Sequence, residues 1–203
     1  MAVSSSNNLH VLGFDCLREN FTGIGAIEHA FQRLGLNHKI VFAGDIEPKC
    51  KISYFANYKI NEEDWFTDIR EFDATKYKGK VDFIVGGAPC QAFSMVGHRL
   101  GFEDARGTLF YEFARVVKET EPKVFLFENV RGLLSHDKGR TWHVIHDIFE
   151  ELGYDVKFRV LNSCDYGIII IHSHYFINIF SFINPWYKAC SNTLYFMCSW
   201  IPS

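Results

Sequence analysis

The feature that most constrains the fold of this chain is an alternation of short apolar runs with amphipathic helical patterns. Val11-Leu12-Gly13-Phe14 predicts a strand, and Ala26, Ile27, Ala30, Phe31 and Leu34 then fall on one helical face before Gly35. Ile40 to Ala43 predicts a second strand. Pro48 suits the first turn of a helix running to about Asn57. Val81 to Val85 predicts a buried strand, followed by a helix through Leu109, Phe110, Phe113, Ala114 and Val117. Val124 to Phe127 is a further strand. A helix through Trp142, Ile145, Ile148, Phe149 and Leu152 follows, closed by Gly153, and Val156 to Leu161 is the last strand expected. Strands separated by helices pair in parallel, so the expected fold class is α/β with a doubly wound, mostly parallel sheet. The 203 residues allow one domain with a core.

In such a sheet, ligands bind beyond the carboxyl ends of the strands. The polar residues that follow the predicted strands are the Glu19 to Gly25 turn, Asp45, Cys90 and Glu128. All four converge on one rim.

Phe21-Thr22-Gly23-Ile24-Gly25 lies between a strand and a helix, where glycines let a ligand approach the backbone closely. Asp45 follows the second strand, where a carboxylate can accept hydrogen bonds from ribose hydroxyls. Together they suggest a cofactor containing adenosine. Glu28 replaces the third glycine of a dinucleotide fingerprint, which favours S-adenosylmethionine over NAD. An ordinary tight turn beside an exposed Asp fits the turn equally well.

Gly86-Gly87-Ala88-Pro89-Cys90-Gln91-Ala92-Phe93-Ser94 forms a sharp loop after the buried strand. A thiol presented there is a strong nucleophile if its pKa is lowered; taken alone, Cys90 also fits a small buried hydrophobe. Glu128-Asn129-Val130 follows the next strand. A carboxyl group there could serve as an acid toward a heterocycle or could be a solvated surface group.

These motifs, taken in order, resemble the bacterial DNA cytosine-5 methyltransferase family. The resemblance also rests on Asp68-Ile69, Gly101-Phe102-Glu103-Asp104, Arg106 to Phe110, Leu161-Asn162 and Asp165-Tyr166-Gly167-Ile168. It implies a Rossmann-like fold of the type dependent on S-adenosylmethionine, incomplete in this chain. It implies that Cys90 adds to C6 of cytosine and that Glu128 meets the N3 and N4 edge. Addition at C6 makes C5 able to attack the sulfonium methyl. Phe21, Gly23, Gly25, Asp45, Ile46, Asp68, Ile69 and Leu109 would hold the cofactor. Pro89, Gln91, Ser94 and Asn129 would meet the substrate.

The resemblance fails in places. Asn20 stands where the family has an apolar residue. No Arg follows Arg159, although the family has arginines in the loop after Gly167-Ile168. Residues 169 to 203 carry one charged side chain, Lys188, whereas the preceding residues hold all 24 acidic groups and all but one of the 21 basic ones. The expectation is therefore a partial catalytic and cofactor-binding domain at 1–168 and a poorly ordered, non-family tail at 169–203. The target-recognition domain is expected to be absent and the gene product truncated, with the tail read from a shifted or unrelated frame. A net charge of -3 accords with a lost DNA-reading surface. The function expected is methylation of double-stranded DNA in a restriction-modification system, impaired by truncation. The alternative is an inactive fragment that retains weak cofactor or partner binding. A complementing polypeptide is a further possible partner.

Six cysteines without a CxxC pair fit a reducing compartment, and the polar start lacks a signal peptide, so a cytoplasmic location is expected. Gly167 to Trp186 is apolar but interrupted by His172, His174, Asn178 and Asn184, and no membrane span is expected. His143 and His146 lack a third ligand at suitable spacing, so no metal is expected. Lys76, Lys78 and Lys80 read as a solvated loop.

Overall fold

The computed structural model describes residues 9–14, 25–88, 109–162, 165 and 175–183, the strands at 9–14 and 175–183 by their backbone path only. The strands are β1 (Leu9–Phe14), β2 (His38–Gly44), β3 (Trp65–Phe66), β4 (Phe83–Gly87), β5 (Val124–Val130), β6 (Tyr154–Asn162) and β7 (Tyr175–Ile183). The helices are α1 (Ala26–Arg33), α2 (Pro48–Asn57), α3 (Leu109–Thr120) and α4 (Arg140–Glu151). The strands form one sheet in the order β3-β2-β1-β4-β5-β7-β6. The pairs β1–β2, β2–β3, β1–β4 and β4–β5 are parallel.

The chain thus builds outward from β1 through β2 to β3, then returns to lay β4 on the other side of β1. The order therefore reverses between β1 and β4, and sheets of this kind bind ligands beyond the carboxyl ends of the strands at such a reversal.

Each predicted strand and helix is present. β3 was not predicted, because two residues are too few to show periodicity. The second addition is β7, which runs antiparallel to both β5 and β6 and separates them. The expectation of a poorly ordered tail is therefore corrected for Tyr175–Ile183. The loss of charge after residue 168 misleads, because a strand between two others needs no charged residues. Its Ile and Phe residues have high strand propensity and suit it well. Tyr175–Ile183 also lies within the apolar candidate for a membrane span, Gly167 to Trp186, and forms a strand. No helix among the described residues is long and apolar enough to cross a membrane.

Aromatic residues dominate the core. Phe110, Phe113, Phe125, Phe127 and Phe149 are fully buried between α3, α4 and one face of the sheet. Phe125 and Phe149 meet with ring centroids 4.4 Å apart. The strands alternate faces as extended chain requires. Phe83, Val85 and Val124 turn to the other side, under Phe31 of α1.

Candidate active site

Gly25 ends the glycine-rich turn and caps α1 in the left-handed region, with φ at 89°. Its carbonyl accepts the amide of His29 at 3.0 Å and the hydroxyl of Tyr58 at 2.7 Å. The Tyr58 ring lies so close that a Cβ on Gly25 would sit 2.0 Å from Tyr58 Cε2. Glycine is therefore required here by chain conformation and by Tyr58 packing, in addition to any ligand. Neither Tyr58 nor its role was legible in the sequence, because it lies 33 residues from Gly25.

Glu28 has a structural use. It is 2% exposed, and its carboxylate accepts the hydroxyl of Tyr54 at 2.5 Å. Burial, reinforced by the Glu28 charge, pushes the Tyr54 phenol far above its ordinary pKa. Tyr54 and Tyr58 also touch through their rings, with centroids 4.9 Å apart. Two tyrosines of α2 and its end thus grip the start of α1.

Asp45 immediately follows β2, and its Oδ1 accepts the amide of Glu47 at 2.7 Å. The Glu47 side chain then caps α2, with Pro48 at the first helical position. This ties the Asp45 carboxylate to the strand end. Ile46 beside it is 56% exposed, an apolar surface left open at the rim. In the register, Gly44 faces Phe66, so Asp45 and Asp68 follow adjacent strand ends. Asp68 accepts the Arg70 guanidinium on both carboxylate oxygens and also the Arg70 amide at 2.9 Å. Those bonds hold its pKa below the ordinary carboxylate value. Ile69 and Leu109 are half-buried against the main core. An exposed apolar side chain and two anchored carboxylates at adjacent strand ends are groups of the kind that suit an adenosine moiety.

Glu128 pairs across the sheet with Gly87 on one side and Asn178 on the other. Burial raises its pKa to about 7. Its neighbour Asn129 is 1% exposed. The Asn129 amide donates to the Ala88 carbonyl at 2.7 Å, and its Oδ1 accepts the Val130 amide at 2.9 Å. Asn129 is thus placed as a tether, with its polar atoms turned to backbone in the interior. The tether grips the residue just before Pro89-Cys90. Asn129→Ala leaves a buried carbonyl without its partner and is expected to cost about 1–3 kcal/mol in urea unfolding. A cost within error of zero would refute the tether. Cys90, Pro89, Gln91, Ser94, Phe21 and Gly23 lie outside the described residues.

His146 groups with Asp147 and Glu150 on α4, their ligand atoms within 4.8 Å of one another, and His143 is not in the group. All three belong to one solvent-facing helix surface. Lys78 pairs with Glu121 at 2.8 Å, and Lys76 lies over the Tyr77 ring.

A sequence profile of the C-5 cytosine-specific DNA methylases matches residues 17–169. The chain belongs to that family. The type II methyltransferase M.Eco47II of Escherichia coli is 43% identical over 168 residues, covering 80% of this chain and 37% of that protein. The orphan methyltransferase M.SPRI of Bacillus phage SPR is 43% identical over 143 residues, covering 70% of this chain and 32% of that protein. M.NgoBI of Neisseria gonorrhoeae, a type II methyltransferase, is 39% identical and covers 82% of this chain and 51% of that protein. The chain therefore spans about a third to about a half of the length of those relatives. The fold matches the Dnmt2 methyltransferase of S. pombe with a TM-score of 0.65 at 19% identity, over 88% of this chain and 50% of that one. The sheet is thus of the S-adenosylmethionine-dependent methyltransferase type.

Proposed function

We propose that this methylase-family chain is the cofactor-binding and nucleophile-bearing part of a DNA cytosine-5 methyltransferase from a restriction-modification system, working in the cytoplasm. The observation that carries the reading is Glu128: a largely buried carboxyl group with a pKa near 7, opposite Gly87 at the head of the Pro-Cys-Gln loop. At neutral pH about half of such groups hold a proton, the state a heterocycle nitrogen needs from its acid.

The Cys90 thiolate forms a bond to C6 of a cytosine turned out of the duplex. The electron pair of the C5–C6 bond shifts toward C5 and the ring, and Glu128 supplies a proton at N3. Asn129 holds Ala88 and so limits where the loop can start. Asp45 and Ile46 would hold the ribose and adenine, with Asp68 and Ile69 at the adenine edge. S-adenosylmethionine, when bound, would supply an electrophilic methyl group to C5; loss of the C5 proton to water and of the Cys90 thiolate from C6 then restores the ring.

Purified chain should form a covalent complex with DNA carrying 5-fluorocytosine in the presence of S-adenosylmethionine, and Cys90→Ser should abolish it. Turnover on ordinary cytosine DNA should be small, because the arginines expected after Gly167-Ile168 are missing. A complex that survives Cys90→Ser would refute the nucleophile. No complex from the unaltered chain would favour the second reading, a fragment that binds cofactor without reacting. That reading is favoured by the missing arginines after Arg159.

A further inference from the structure

We propose that Arg115 is a positioning residue for the adenine end of the cofactor site, acting through the loop that carries Asp68 and Ile69. The inference rests on the cofactor reading above. Arg115 lies in the middle of α3, far in sequence from that loop. Its Nη2 donates to the Ile69 carbonyl at 2.6 Å and its Nη1 to the Phe72 carbonyl at 3.0 Å. The guanidinium is itself held by two carboxylates of its own helix: Nε donates to Glu112 at 2.7 Å, and Nη1 donates to Glu119 at 2.8 Å. Glu119 Oε2 also accepts the Ala74 amide at 3.1 Å. One turn of α3 therefore fixes the loop at three backbone positions.

The loop needs this support. β3, which leads into it, has two residues, pairs with β2 on one side and forms the edge of the sheet. Among the described residues, the loop's own backbone bonds are the turn contacts from Glu71 to Asp68 and from Phe72 to Ile69, with the Arg70 amide bonded to the Asp68 carboxylate. Arg70 and Glu71 are exposed. A guanidinium suits the task because its planar donors can meet two carbonyls and two carboxylates at once, which a lysine ammonium cannot reproduce in the same geometry. Asp68 and Ile69 thus take their place from α3, a helix packed on the central strands, more than from their own strand.

The test compares binding of S-adenosylhomocysteine with binding of its analogue carrying a 6-oxo group in place of the adenine amino group. Calorimetry would be run on the full chain, on Arg115→Ala and on Arg115→Lys, with thermal melts alongside. The unaltered chain should prefer the amino form by about tenfold, the value of one well-placed hydrogen bond to a charged group. Both variants should lose most of that preference, to about twofold, whereas a general loss of stability would weaken the two ligands equally. Arg115→Lys keeps the charge and answers the question if Arg115→Ala fails to fold. Variants that bind both ligands more weakly yet keep the full preference would overturn the positioning role, as would an unaltered chain that binds both equally. An unaltered chain that binds neither would instead refute the cofactor reading on which the role depends.

Discussion

Glu128→Gln is expected to make the protein more stable at pH 8 and, in the same protein, to slow formation of the 5-fluorocytosine adduct by about a hundredfold or more. The two effects have one cause. Burial lifts the folded-state pKa of Glu128 from 4.5 to about 7. The folded chain therefore binds this proton more tightly than the unfolded chain does. The stability so gained is fully present below pH 4.5 and is lost as pH rises through about 7. Above that, the fold carries a buried carboxylate at a cost of roughly 2 kcal/mol, reduced from the full shift because some solvent reaches the group. Glutamine has no proton to lose, so its stability should stay flat through that window. It also has no acidic proton to give to N3. In the unaltered chain, loss of the Glu128 proton should slow the adduct about tenfold per pH unit above 7, an effect separable from Cys90 ionisation by its disappearance in Glu128→Gln. Urea unfolding at pH 5 and pH 8, with adduct rates on the same samples, would decide the matter. A variant that is no more stable at pH 8, or that reacts at the normal rate, would remove Glu128 from the proposed role.

Gly25→Ala should cost about 3 kcal/mol of stability and weaken cofactor binding without touching the cofactor's chemistry. Part of the cost is conformational, because an L side chain at φ 89° is strained. The rest is steric, because the new methyl group would meet the Tyr58 ring. Moving that ring breaks its hydroxyl bond to the Gly25 carbonyl and disturbs its contact with Tyr54. The two parts can be separated. In a Tyr58→Ala background the same substitution should cost only about 1–2 kcal/mol, the conformational part. Equal costs in both backgrounds would show that Tyr58 plays no part in the requirement for glycine.

The sheet was legible in the sequence because strands buried on both faces read as apolar runs. α1, α3 and α4 show their inward stripes at helical spacing. Asp45, Cys90 and Glu128 stood out because each follows such a run. β7 was missed for the same physical reason that made the other strands visible: an apolar run without charges can be a strand, a membrane segment or foreign sequence, and only its partners decide. The bonds of Asn129 to Ala88 and Val130 were not legible in the sequence, where it is simply the neighbour of Glu128. Adjacent residues on a strand face opposite ways, so neighbours in sequence need not share a site.

By itself, the sequence determined the α/β class, the order of its elements and the family to which the motifs belong. These depend on local patterns: hydrophobic period, turn residues and short runs of fixed residues. Only the tertiary structure decided that Tyr58 stands against Gly25, that Glu28 answers Tyr54 and that Arg115 holds Ile69. It also decided that Glu128 sits deep enough to keep its proton near neutral pH. Each of these depends on contacts or burial created by residues 26 to 46 positions apart or by whole neighbouring strands, and folding alone brings those together.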